Sequence, residues 1–317
     1  MTPLVLKDPT NGSEAQILVE VGFNCFSFRV NVEGEFVEIL NAEPDFEAGD
    51  KKGTRSGIPW LFPFPNRIQA GTYTWDGRSY ALPATDGHGN AIHGFVMNRP
   101  WRVTYVDSTT CVAEFQLSVD NAEAIALWPA DFKIEVRYTV GRRSLRADIL
   151  IVNVDTKPLP WGLGTHPYFN LPLSPSGQPA DCAVQVPAGE AWELHDFIPT
   201  GRRIVVEERT DLRNGVSLGA RKLDDVLTNL EVNNARTVTT IVDKRAGIAV
   251  HQIADAVFRE CVVFTPPNRS CLCLEPYTCT TNAINLQQRG VDAGLRILSP
   301  GSEFRTFIEI QVENINP

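Results

Sequence analysis

Residues 132–140 read FKIEVRYTV. Phe132, Ile134, Val136, Tyr138 and Val140 fall on one side of an extended chain. Lys133, Glu135, Arg137 and Thr139 fall on the other, which is the period of a half-buried β-strand. The same rhythm recurs at Leu145–Val154, Ala183–Val186, Arg203–Glu207, Thr237–Val242 and Ile248–Ile253. Cys261–Thr265, Leu272–Glu275 and Phe304–Val312 continue it. Earlier in the chain, Ile17–Val32 divides into two alternating runs near Gly22, and Phe115–Val119 forms another. β-Branched and aromatic residues fill these runs, and Gly, Pro, Asn and Asp separate them. Lys222–Leu230 is the best short helical candidate, and no longer stretch holds a helical stripe. Many short strands without a fixed-period repeat predict an all-β protein, a single large antiparallel β-sandwich over residues 1–317, rather than a propeller.

The chain carries 29 Lys+Arg against 38 Asp+Glu, a formal charge of −9. That balance argues against a nucleic-acid backbone or an anionic membrane as partner. No basic segment followed by an apolar run marks a secretion signal, and no apolar stretch reaches the roughly 18 residues a membrane helix needs. Seven cysteines, most of them inside apolar strand-like runs, read as reduced and buried thiols, which points to a cytoplasmic protein.

Four segments place polar groups in stiff or apolar surroundings. In Ser56–Gly71, SGIPWLFPFPNRIQAG, prolines 59, 63 and 65 remove three backbone donors. This predicts a rigid extended segment that ends at Asn66 and Arg67. Arg67 either caps a carbonyl in a packed loop or offers its fork of donors to ligand oxygens. Thr85–Phe95, TDGHGNAIHGF, is a glycine-rich loop with His88 in solvent and His93 partly buried. A histidine like His93 is more often structural than catalytic. The third segment, GLGTHPYFNLP at 162–172, holds His166 between glycines, a proline and two rings.

The fourth is CLCLEPYTCTT at 271–281. Alternation sets Cys271, Cys273 and Glu275 on one face of a strand and Leu272 and Leu274 on the other. Pro276 is expected to stop the ladder there. Burial of Glu275 would raise its pKa, giving either a base suited to neutral pH or one half of an edge salt bridge. A metal set of Cys271, Cys273, Cys279 and His166 has the wrong cysteine spacing for zinc, so no metal is expected.

Taken together, these segments resemble the aldose 1-epimerases (galactose mutarotases) from about Ile17 to Val312. The matching stretches are GIPWLFPFPNRIQAGTYTWDGRSYAL, AIHGFVMNRPW, WPADFKIEVRYTV, WGLGTHPYFNL, LDDVLTNL and LCLEPYT-x4-AINL, in the family's order. The resemblance implies a large antiparallel sandwich with a sugar-binding cleft and no cofactor. It further implies that Glu275 is the general base, that His166 is the general acid, and that Arg67, His93 and an aspartate bind sugar hydroxyls, with Asn66 beside them. Asp224 is preferred for that aspartate over Asp225, because Leu227 follows it three positions later.

The implied reaction removes a proton from the anomeric O1 while another is delivered to ring oxygen O5. It calls for an ionised Glu275 and a protonated His166 that stabilise each other. Asp-Asp in LDDVLTNL replaces the Asp-His of galactose-type members, so the fit is closer to the broader aldose-epimerase-like group. The expected partner is a small sugar. The alternatives are a non-catalytic carbohydrate-binding or regulatory protein, a glycoside hydrolase using Glu275 and Asp224, or a hexose-phosphate mutarotase. The last would draw on Arg99, Arg102 or Lys222.

Overall fold

The computed structural model describes residues 1–174, 177–219 and 221–315. Among them, nine antiparallel strands form one large sheet. Its order is Arg102–Val106, Thr110–Gln116, Phe132–Gly141, Ser144–Asn153, Glu303–Asn314, Ile248–Asp255, Arg236–Asp243, Cys182–Gln185 and Val216–Ser217. A second sheet runs Ile198–Val205, Ala188–His195, Asp224–Leu230, Glu260–Phe264, Cys271–Tyr277, Gly164–Thr165 and Trp60–Leu61. Tyr168–Asn170 also pairs with its Cys271–Tyr277 strand. A four-stranded sheet takes up Leu4–Lys7 through Glu35–Glu38, with the predicted break at Gly22 between Glu14–Leu18 and Asn24–Val32.

The core lies between the two large sheets. From the first come all five inward residues of FKIEVRYTV, each nearly or fully buried. Leu227, Val263, Leu272 and Leu274 come from the second and join the same apolar cluster. Burying side chains of this size contributes about 1.5–3 kcal/mol each before the entropy of ordering is subtracted. The Gln252 amide crosses between the sheets and donates to the Leu274 carbonyl at 3.0 Å. The outer face of the eight-stranded sheet is therefore free to carry polar groups.

Three local expectations are corrected. Residues 222–230 do not form a helix; Asp224–Leu230 is a strand paired on both edges, to Ala188–His195 and to Glu260–Phe264. Leu223, Leu227 and Leu230 imitate a helical stripe by their spacing, but two ladders of backbone hydrogen bonds outweigh that local pattern. The strand expected at Phe115–Val119 ends at Gln116, and Leu117–Asp120 makes a single helical turn. Its short polar side chains redirect the backbone: Asp120 accepts the Gln116 N–H at 2.7 Å, and Asp131 accepts the Ser118 N–H at 3.0 Å.

Pro276 does not end its ladder either, since it pairs with Cys261 and the strand runs on to Tyr277. By strand alternation its nitrogen points the same way as the Thr278 N–H, which donates to Leu163. On that side the neighbouring chain changes from Tyr168–Asn170 to Gly164–Thr165. The missing donor falls in the gap. Among the described residues no helix is long and apolar enough to cross a membrane.

Candidate functional site

That gap contains His166. Tyr168 pairs with Cys273 and Gly164 with Tyr277, so the register places His166 across from Glu275. The His166 Nε2 lies 3.1 Å from one Glu275 carboxyl oxygen. The other oxygen accepts the Tyr277 hydroxyl, which strand alternation brings to the same face. The imidazole stacks on Tyr168, with centroids 4.6 Å apart and planes 13° apart, and meets the Phe264 ring edge-on. Its backbone N–H donates to the Pro59 carbonyl at 3.1 Å, so the proline-rich segment holds the opposite side. His166 and Glu275 are both buried, at 7% and 2% exposure.

An ion pair at 3.1 Å would raise the histidine pKa and lower that of the carboxylate. Burial acts the other way on both groups. Desolvation pushes His166 down to about 3. It pushes Glu275 well above the ordinary carboxylate range, a nearby Asp224 carboxylate adds to the rise, and the Tyr277 hydrogen bond and Arg67 only partly offset it. Both shifts favour the uncharged forms, an imidazole without its second proton and a carboxyl that keeps its own.

The remaining residues surround this pair. Asn66 is buried with φ 54°; its side-chain oxygen accepts from Arg67 at 3.1 Å and its carbonyl accepts the His93 N–H at 2.9 Å. One residue therefore fixes two others. Arg67 also donates to Asp86 at 2.9 Å and lies over the Phe197 ring at 4.6 Å. Desolvation raises the Asp86 pKa, but hydrogen bonds from the Asn90 side chain and backbone, the His88 N–H and Arg67 together outweigh it and hold it below the ordinary value. His93, more buried than the sequence reading allowed, packs edge-on against His166 with centroids 5.8 Å apart. Among the described residues its Nδ1 has no hydrogen-bond partner, and desolvation holds its pKa well below the usual value. His88 is exposed, as expected.

The register also separates the two aspartates. Asp224 pairs with Phe264, which pairs with Cys273, so Asp224 shares the Glu275 face. Asp225 points the other way and is gripped by both terminal nitrogens of Arg209. Asp224 stays open to solvent, yet the protein around it raises its carboxyl pKa while Arg67 pulls it down. A profile of the aldose 1-epimerase family matches residues 4–311. The chain belongs to the aldose 1-epimerase family.

Its relatives include the uncharacterized protein YihR of Escherichia coli K12, 26% identical over 253 residues, spanning 79% of this chain and 77% of that protein. Galactose mutarotase from Bos taurus is 31% identical over 157 residues, 49% of this chain and 44% of that protein. A galactose mutarotase-like protein from Clostridium acetobutylicum superposes with a TM-score of 0.83 at 24% identity, covering 95% of this chain and 93% of that one. An aldose epimerase homologue from C. elegans gives 0.82 at 19% identity, covering 99% and 100%. At these identities the structural likeness speaks to the fold.

Several members of this cluster are not singled out by the sequence reading. Tyr277 donates to Glu275, Asp86 braces Arg67, and Phe197 lies beneath the Arg67 guanidinium. Tyr277 was within reach, because it lies two strand positions after Glu275. Asp86 and Phe197 come from loops, and no periodicity announces them. The cations considered for a phosphate are engaged elsewhere or outside the group: Arg99 pairs with Glu123, Arg102 with Glu114 and Asp120, and Lys222 is exposed. All seven cysteines are buried and free. The considered set of Cys271, Cys273, Cys279 and His166 does not assemble among the described residues; Cys273 instead groups with His166 and Glu275.

Proposed function

We propose that this protein is an aldose 1-epimerase that interconverts the α and β anomers of a free, uncharged aldose, with Glu275 and His166 as the proton-transfer pair. The observation that carries this reading is the 3.1 Å contact between two buried groups set opposite each other by strand register. Ring opening takes a proton from O1 and supplies one to O5; rotation about C1–C2 and closure reverse both transfers. The reaction consumes no net proton. It needs a pair that holds one mobile proton and can place it on either member.

A protonated Glu275 beside a neutral His166 has the proton count of an ionised Glu275 beside an imidazolium. Passing the proton across the contact yields the form in which Glu275 accepts from O1 and His166 donates to O5. Each positioned acid or base is typically worth about 10²–10⁴ in rate. Arg67, His93 and Asp224 would hold the ring hydroxyls, Asn66 fixing the first two. Arg99 and Arg102, turned to other partners, favour a neutral aldose over a hexose phosphate. The buried free thiols fit a reducing, cytoplasmic setting.

The test is anomer exchange on freshly dissolved α-glucose and α-galactose, followed by polarimetry or saturation-transfer NMR. Wild-type protein is expected to accelerate exchange of at least one of them. Glu275→Gln and His166→Asn should each abolish the acceleration while circular dichroism stays unchanged. Sugar binding without exchange in the wild type would replace this reading with a carbohydrate-binding role. Unimpaired exchange in either variant would remove the pair from the mechanism.

A further inference from the structure

Two strand positions before Glu275, Cys273 turns its thiol to the same face. One ligand atom each from His166, Cys273 and Glu275 lies within 4.8 Å of the others, and all three residues are buried. Proton transfer between O1 and O5 uses the imidazole and the carboxyl but has no task for the thiol. Tetrahedral zinc, with bonds of about 2.3 Å to sulfur and about 2.0–2.2 Å to nitrogen and oxygen, sets such atoms about 3.3–3.6 Å apart. The His166–Glu275 edge, at 3.1 Å, already fits. The sulfur edges, within 4.8 Å, need to close by about 1.2–1.5 Å at most.

We propose that His166, Cys273 and Glu275 form a binding site for a soft divalent cation, with Zn²⁺ as the type, and that the bound ion arrests anomer exchange. The arrest rests on the function proposed above; the binding site does not. Binding forms Zn–S, Zn–N and Zn–O bonds, and the protons on the Cys273 thiol and the Glu275 carboxyl pass to solvent, with no change of oxidation state. The ion then occupies the lone pairs that proton transfer requires.

Its surroundings suit a cation. Asp224 lies on the same sheet face, across the ladder from Phe264 and Cys273, and brings a further carboxyl to the neighbourhood. The Tyr277 hydroxyl holds the second Glu275 oxygen, an outer-shell contact of the kind that orients carboxylate ligands. Three protein ligands leave a fourth position for water.

Co²⁺ serves as the spectroscopic probe. One equivalent added to wild-type protein should give a near-ultraviolet thiolate-to-cobalt charge-transfer band, displaced by Zn²⁺. Cys273→Ser should lose the band, and so should His166→Asn, which leaves every thiol in place. Cys271→Ser should keep it. In the exchange assay, Zn²⁺ should inhibit the wild type reversibly by EDTA, and Cys273→Ser should need at least about tenfold more Zn²⁺ for the same fractional inhibition. A wild type without the band, or a band that survives in both Cys273→Ser and His166→Asn, overturns the site. A band with exchange indifferent to Zn²⁺ overturns the arrest. A protein that shows the band but exchanges no sugar refutes the proposed reaction and leaves the site standing.

Discussion

The His166 imidazole and the Glu275 carboxyl meet where neither can carry charge cheaply, so under the proposed mechanism the number of protons they share sets the active form. With one proton the pair can work. It gains a second as pH falls toward the depressed His166 value, about 3, and loses the first as pH rises through the raised Glu275 value. The exchange rate should therefore hold through mildly acidic pH and fall on an alkaline limb well above the ordinary carboxylate range. Tyr277→Phe sharpens this expectation. The Tyr277 hydroxyl donates to Glu275 and lowers its pKa, so its removal should move the alkaline limb upward. A hydrogen bond to a charged group is worth about 1.5–3 kcal/mol, or about one to two pH units. A pH–rate profile of the variant decides the point; a limb that stays put or moves down would show that Tyr277 does not tune the carboxyl.

At the scale of strands, the site depends on how closely two chain segments pass. A Cβ added at Gly164 would meet the Tyr277 ring at 2.5 Å and the Pro65 Cβ at 2.6 Å, far inside contact distance. Gly164→Ala should cost about 1–3 kcal/mol by overpacking and push Tyr277 off Glu275. Denaturation midpoint and exchange rate should fall together; a loss of stability with normal exchange would mean the ring absorbs the strain without moving its hydroxyl. This closeness explains what the sequence could and could not disclose. Alternation along FKIEVRYTV and CLCLEPYT revealed faces, because side-chain direction in a strand is a local property. It set Leu272 and Leu274 on the face opposite Cys273 and Glu275, and the structure buries those leucines in the core and groups Cys273 with Glu275. Pairing is not local. LDDVLTNL carries a helical spacing that only its two neighbouring strands overrule, and Pro276 was misread because the gap opposite it belongs to another segment. Glu275 was legible as a raised carboxyl, since an acid in an apolar strand must be desolvated. The downward pull on His166 was not, because it depends on rings and backbone brought in from Tyr168, Phe264 and Pro59.

Across the whole molecule, the eight-stranded sheet gives one face to the core and gathers Asp224, Glu260 and Glu275 on the other, all with raised pKa. Glu260 is fully buried, accepts the Trp192 indole N–H at 3.0 Å, and is shifted by desolvation from 4.5 to about 7. It is not a member of the proposed proton-transfer pair, and its burial bears on stability. Below about pH 4.5 the folded and unfolded chains both hold this proton, and the stability it contributes is fully present. Between about 4.5 and 7 only the folded chain keeps it, and that contribution is lost as pH rises, by about 3 kcal/mol at most. The buried neutral histidines His93 and His166 act in the opposite direction over the acid range, because the unfolded chain takes up protons that the folded one refuses. The difference between wild type and Glu260→Gln isolates the carboxyl from them. Glutamine keeps an acceptor for Trp192 and has no proton to lose, so the variant should gain stability relative to wild type as pH rises from 5 to 8. Melting temperatures at these two values give the answer: an unchanged gap between the two proteins would mean that Glu260 is ionised in the fold throughout, held by the Arg259 guanidinium at 3.5 Å against the pull of desolvation.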